Sequence, residues 1–323
     1  MTHRPWEEGA DFAIGLAPID ASRWLEGGEE GPAARKDPLY SEHRDLVWGE
    51  TDGSRPGQME VAALIGMSPA GDLPPLYAAS RTVADDLVLV EKKTDGHWRV
   101  SAISLSAPTF FTAREVLGKS LADIHGPVSG FNDRFLARLV RIFDGLRPGL
   151  ILQRRNWSVV NSDQPFTPFS APVRARIGEI AAADVGQALF TRVERQTVRR
   201  LPDTGGVLFT IRVWLTPFEA LRQSPERLAA FARAWRSAAP GFAAYRDFTS
   251  TPSWWRAFFA PTVKVTALTA PDIQRCLRPW FSGRRKTSNA PAPAHSRSGL
   301  PGPRRLRFHG CAPHRPGARG QAR

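Results

Sequence analysis

The sequence predicts an α+β fold: an antiparallel β-sheet with flanking helices, followed by a disordered basic tail. Three observations carry this expectation. Thr191 to Leu215 reads as two strands joined by a tight turn. Phe131 to Leu146 places Phe131, Phe135, Leu139, Ile142, Phe143 and Leu146 on one helical stripe. From Gly283 onward Ser, Pro, Gly and Arg dominate without apolar periodicity, so that stretch cannot bury enough apolar surface to fold.

The hairpin is the clearest of these. Val207, Phe209, Ile211, Val213 and Leu215 alternate with Leu208, Thr210, Arg212 and Trp214, the period-two pattern of a half-buried strand. Pro202-Asp203-Thr204-Gly205-Gly206 supplies the turn, because Pro fixes φ and Gly admits positive φ. The first strand carries Arg192, Glu194, Arg195, Gln196, Arg199 and Arg200. Such polarity beside an apolar strand implies that one face meets water or a charged ligand.

The other elements follow in order. Residues 1–40 form an N-terminal arm with Phe12 and Trp24 as anchors, residues 41–260 the folded body, and residues 261–323 the tail. A helix is predicted from Pro38 to Trp48, with His43 on its surface, and another from Met59 to Met67. Leu87 to Val90, the turn Thr94-Asp95-Gly96 and Trp98 to Leu105 make a second hairpin. Asp85, Asp86 and the turn residue His97 are expected in solvent. A short helix from Ala113 ends at Gly118. Gln153 to Val160 reads as a strand and Val173 to Ala182 as a helix. Ser224, Pro225 and Glu226 start a helix that buries Leu228, Phe231 and Trp235. Tyr245 to Phe259 is the last segment expected to pack.

Composition sets limits on function. The chain has 323 residues, 42% apolar, and a formal charge of +13. Residues 261–323 hold 13 Lys and Arg and one acid, whereas residues 1–260 hold 31 basic and 30 acidic residues. The body is therefore near neutral, and non-specific nucleic-acid attraction belongs to the tail. Both cysteines, Cys276 and Cys311, lie in the tail, which leaves the body without a thiolate nucleophile or a cysteine-bound cluster. The start lacks the apolar run of a signal peptide, and no segment is apolar enough to span a membrane. A soluble cytoplasmic protein is expected. GxGxxG, Walker, HExxH, EF-hand and GxSxG motifs are absent. His309, Cys311 and His314 sit close together in the tail but lack a fourth ligand.

His125 is the residue with the most chemistry. It stands between Ile124 and Gly126-Pro127, a context that reads as a turn and not a helix. Two readings stay open. It is a turn histidine bonded to a backbone carbonyl, or it is a metal or haem ligand with room above the imidazole for a flat macrocycle.

Five separated segments then agree. Ile124-His125-Gly126-Pro127-Val128, Arg155-Asn156-Trp157-Ser158-Val159, Arg192-Val193-Glu194-Arg195-Gln196-Thr197, Arg200-Leu201-Pro202 and Leu208-Phe209-Thr210-Ile211-Arg212 resemble the haem-dependent oxidative N-demethylase family. The resemblance runs from about Ala10 to about Trp255, and departs from the family pattern at Ser129, where a second Pro is usual. It implies a PAS-like antiparallel sheet carrying haem b. It implies oxygen-dependent removal of a methyl group from a small secondary amine such as dimethylamine, with release of formaldehyde. Electrons would come from NADPH through a partner reductase subunit carrying FMN and a [2Fe–2S] cluster.

On that resemblance His125 is the axial ligand. Arg155, Arg192 and Arg195 are the candidates for pairing with the propionates, since guanidinium forks match carboxylates. Strand alternation puts Arg192 and Arg195 on opposite faces. Asn156 and Trp157 line the pocket, or Trp157 belongs to the core. Glu194 either holds a protonated amine and relays a proton, or makes a cross-strand salt bridge with Arg212 or another hairpin arginine. A haem-PAS sensor without turnover is the alternative function, and the absence of an output domain argues against it.

Overall fold

The computed structural model describes residues 4–7, 15–27, 31–68, 71–126, 132–237 and 258. The chain divides into two units after Thr262, and every described residue belongs to the first. Phe12, residues 127–131, most of 245–259 and the whole tail, with His309, Cys311 and His314, lie outside the described residues.

Among the described residues seven strands form one antiparallel sheet: β1 (Ala17–Ile19), β2 (Trp48–Glu50), β3 (Asp86–Lys92), β4 (Trp98–Ser104), β5 (Ile151–Val160), β6 (Phe190–Arg200) and β7 (Val207–Pro217). Their order is β1-β5-β6-β7-β3-β4-β2. The polar strand β6 therefore runs through the interior, paired with β5 on one side and β7 on the other. Both predicted hairpins are present, as β3–β4 and β6–β7.

The register sorts side chains onto two faces, because neighbours across strands share a side. On the first face Arg192, Glu194, Gln196 and Val198 stand beside Ser158, Asn156, Arg154 and Leu152 of β5, and beside Leu215, Val213, Ile211 and Phe209 of β7. On the second face Val193, Arg195, Thr197 and Arg199 stand beside Trp157, Arg155, Gln153 and Ile151, and beside Trp214, Arg212, Thr210 and Leu208.

Helices cover both faces. On the first, Leu121 of the helix Leu121–His125, together with Phe143 and Leu146 at the end of the helix Ala137–Gly145, packs on Val88, Val90, Val198 and Val207. The second face carries two clusters. One joins Leu87, Leu89 and Leu208 to Trp24 and to helices Arg55–Leu64 and Pro75–Ser80 through Val61, Leu76 and Tyr77. The other joins Trp157 and Val193 to Trp6, Phe218 and Phe231. Each fully buried Leu or Phe in these layers contributes about 1.5–3 kcal/mol.

Several elements differ from expectation. The helix predicted from Pro38 runs instead over Pro32–Glu42, with Pro38 inside it, and a separate turn Arg44–Val47 leads into β2. Lys36 fixes this helix from within: its buried Nζ donates to the carbonyls of Ser80, Val83 and Asp85 at 2.7, 3.0 and 2.6 Å. The predicted Val173–Ala182 helix is the short helix Ser170–Ala175 followed by a 3-10 turn, Arg176–Glu179, that contains Gly178, a poor helix former. Asp85 and Asp86 are not in solvent; each is 1% exposed. Asp86 is satisfied there, accepting from the Ser106 N–H at 2.7 Å, the Ser106 hydroxyl and the Ala107 N–H at 2.9 Å. His43 is exposed and stacks on Phe166.

Candidate functional site

His125 closes a helix and does not sit in a turn, which corrects the expectation from Gly126-Pro127. Ser120 and Asp123 form a reciprocal capping box that starts this helix. Its single turn then carries the imidazole back over Leu121, whose carbonyl lies 2.8 Å from Nδ1. A carbonyl oxygen can only accept, so Nδ1 carries the proton and the lone pair of the neutral ring is on Nε2. Burial holds the His125 pKa below its ordinary value; the Leu121 bond acts against this, and the nearby Arg154 charge adds to it. The group is a neutral imidazole oriented by a backbone acceptor, the arrangement in which histidine binds metals.

Arg154 belongs to the same face of the sheet. Its Nε donates to Gln196 Oε1 at 2.7 Å, and Gln196 Nε2 donates to Glu194 Oε2 at 3.0 Å. Glu194 Oε1 accepts from the Thr109 hydroxyl at 2.9 Å and lies 3.5 Å from Arg192 Nε. The pairing thus comes from Arg192, two residues away on the same strand, while Arg212 lies on the opposite face. Asn156 stands directly opposite Glu194. Next to them Phe209, Ile211, Val213 and Leu215 form an apolar row that the helices leave only half-buried.

Arg192 is fully buried, and its guanidinium is committed to the protein. Nη2 donates to Ala107 O at 2.5 Å and Nη1 to Pro165 O at 3.3 Å. It ties two loops to β6 behind Glu194. Burial lowers its pKa, and Glu194 works against that shift.

The second face holds the remaining candidates. Arg195, also fully buried, donates through Nη1 to Trp24 O at 2.7 Å, through Nη2 to Arg23 O, and through Nε to Gln153 at 2.5 Å. Glu26 lies 3.3 Å from Arg195 and 3.8 Å from Arg155. Trp157 is core, with its ring 5.9 Å from Trp6 and 5.3 Å from Phe231. A group held by His125, Arg154 and Glu194 is therefore separated from Arg155, Arg195 and Trp157 by the sheet itself.

Among the described residues no cluster of three or more His, Cys, Asp or Glu side chains could hold a metal ion.

A family model, described as haem-dependent oxidative N-demethylase, alpha subunit-like, matches residues 43–255. The chain belongs to this family. The matched span contains β2 through β7, His125 and the whole Arg154–Gln196–Glu194 network. The family's name indicates haem dependence, an oxidative N-demethylase activity and a multi-subunit setting. The residues of the first face fit a haem in their donor chemistry: a neutral imidazole, a guanidinium beside it and a half-open apolar row. No described helix is long and apolar enough to cross a membrane.

Two members of this network, Arg154 and Gln196, are not singled out by local patterning. Their signal is parity. Arg154 shares the alternation of Asn156 and Ser158, and Gln196 that of Glu194. The register of β5 on β6 is needed to bring the two sets together.

Proposed function

We propose that this chain is the haem-b-binding subunit of an oxygen-dependent amine N-demethylase, with its site on the first face of a PAS-like sheet. One observation carries the reading. The neutral, backbone-oriented imidazole of His125 belongs to the same face as Arg154, Asn156 and Glu194, within a chain of the haem-dependent family.

Each residue then has a task. His125 offers Nε2 to iron, and Leu121 O keeps that tautomer. Arg154, and not Arg155 or Arg195, supplies the cation for a propionate. Thr109, Gln196 and Arg192 fix the Glu194 carboxylate so that it holds a protonated secondary amine and accepts its proton. The row Phe209, Ile211, Val213 and Leu215 keeps water from the amine's methyl groups. Bound haem supplies the oxygen activation that side chains cannot. For dimethylamine, one O2, two electrons and two protons give methylamine, formaldehyde and water. The electrons would come from NADPH through a reductase subunit carrying FMN and [2Fe–2S].

The test is formaldehyde release by haem-loaded protein given dimethylamine, O2 and a chemical reductant. Formaldehyde should form in step with O2 consumption, and Glu194→Gln should keep haem while losing turnover. A Glu194→Gln variant with undiminished turnover would leave Glu194 as a structural partner of Arg192. A haem-loaded wild type that releases no formaldehyde under these conditions would contradict the enzymatic reading.

A further inference from the structure

The register of β5 on β6 sets Arg154 directly opposite Gln196, with Glu194 two residues along the same strand. Such diagonal neighbours lie about 7–8 Å apart across a sheet, within reach of long side chains. An arginine and a glutamate at this offset, both half-buried, have every reason to close into a salt bridge. Gln196 stands between them instead. Its Oε1 accepts from Arg154 Nε at 2.7 Å, and its Nε2 donates to Glu194 Oε2 at 3.0 Å.

The amide can serve this place in one orientation. Turned over, it would set its NH2 against a guanidinium, which only donates, and its carbonyl against a carboxylate, which only accepts. Gln196 is 7% exposed, so a misdirected amide there would carry the cost of unmet polar groups. A neutral side chain therefore does what a charged or shorter one could not: it bonds a cation and an anion at once without cancelling either charge. A direct fork-to-carboxylate pair would take up Glu194 Oε2 and neutralise both groups.

We propose that Gln196 is a positioning residue, a neutral spacer that stops Arg154 from closing on Glu194. It keeps a cationic and an anionic station side by side on one face of the sheet. The consequence for function rests on the haem reading: the cation serves a propionate and the anion a protonated amine, and a direct Arg154–Glu194 pair would withdraw both together. The spacing itself belongs to the chain without haem.

The test begins with the full chain free of haem. Arg154→Gln, Glu194→Gln and the double variant are unfolded in urea, first with Gln196 present and then with Gln196→Ala. The coupling between positions 154 and 194, read as a factor in the unfolding equilibrium constant, should rise about fivefold or more once Gln196 is truncated. A smaller rise would overturn the proposal. Haem titration of the same chains gives a second reading. Gln196→Ala should weaken binding about tenfold. Adding Glu194→Gln should then restore affinity to within about threefold of the native chain, because it removes the partner that captures Arg154. A merely structural Gln196 would show no such rescue, and its absence would overturn the proposal. If Gln196→Ala misfolds, Gln196→Ser, too short to bridge the two charges, takes its place with the same expectations. A native chain that binds no haem would contradict the haem reading alone, and the urea cycle would still decide the spacer.

Discussion

Arg195 and Trp24, 171 residues apart in sequence, are joined by a 2.7 Å hydrogen bond from Nη1 to the Trp24 carbonyl. The indole of Trp24 answers by donating to Thr197, two residues further along β6, at 3.2 Å, and Arg199 lies over its ring at 4.3 Å. The N-terminal segment is thus fastened to the second face by the strand that carries Glu194 on the first. Arg195 is a structural clamp in this arrangement. Arg195→Ala strands Asp85 and Glu26 near a lost cation and removes three hydrogen bonds. Urea unfolding should show a loss of about 3–5 kcal/mol, with haem affinity of the remaining folded protein unchanged. Loss of haem without loss of stability would return Arg195 to the cofactor.

Asp85 adds a pH dependence. Among the described residues neither of its buried carboxylate oxygens has a hydrogen bond of good geometry. Burial raises its pKa from 3.8 to about 6, against the opposing charges of Arg212, Arg195 and Lys36 and the nearby Thr210 hydroxyl. A carboxyl whose folded pKa is raised binds its proton more tightly in the native state. Its penalty is therefore present above about pH 6, shrinks as pH falls, and is gone below about pH 4. At full size it is on the order of 3 kcal/mol. Asp85→Asn should flatten stability across that window, measured by urea unfolding at several pH values. An unchanged slope in the variant would mean that Asp85 is not the titrating group.

Trp157 tests the core assignment. Its ring packs among Trp6, Phe231 and Val193. Trp157→Ala should cost about 3–5 kcal/mol through the cavity it leaves, while Trp157→Phe should retain most of the stability and the haem spectrum. A spectral change in a fully stable Trp157→Phe protein would place this ring at the cofactor.

Arg154 and Arg155 are neighbours in sequence on opposite sides of the sheet. Haem titration should separate them. Arg154→Gln should weaken haem binding about tenfold or more through the lost charge-assisted bond. Arg155→Gln should leave it unchanged. The reverse result would mean that the cofactor belongs to the second face.

Much of this arrangement is legible in the chain itself. The alternation in Val207–Leu215 states which residues share a face. The helix Leu121–His125 is not read that way, because Gly126-Pro127 signals a turn and outweighs the Ser120 and Asp123 capping box that starts it. The burial of Asp86 is not readable, because its partners Ser106 and Ala107 lie beyond a hairpin. The choice between Arg154 and Arg155 is hidden for a related reason. A one-residue change of register exchanges the faces, and only the pairing of Asn156 with Glu194 fixes it. The deep burial of Arg192 and Arg195 follows from backbone carbonyls that loops deliver from elsewhere, and no local pattern records those.

The most direct measurement is the absorption spectrum of haem-reconstituted His125→Ala, compared with the native chain and repeated with added imidazole. The native chain should bind one haem with a histidine-ligated Soret band. The variant should lose that band, and free imidazole should restore it. A variant with the same haem content and the same spectrum as the native chain would show that His125 does not hold the iron.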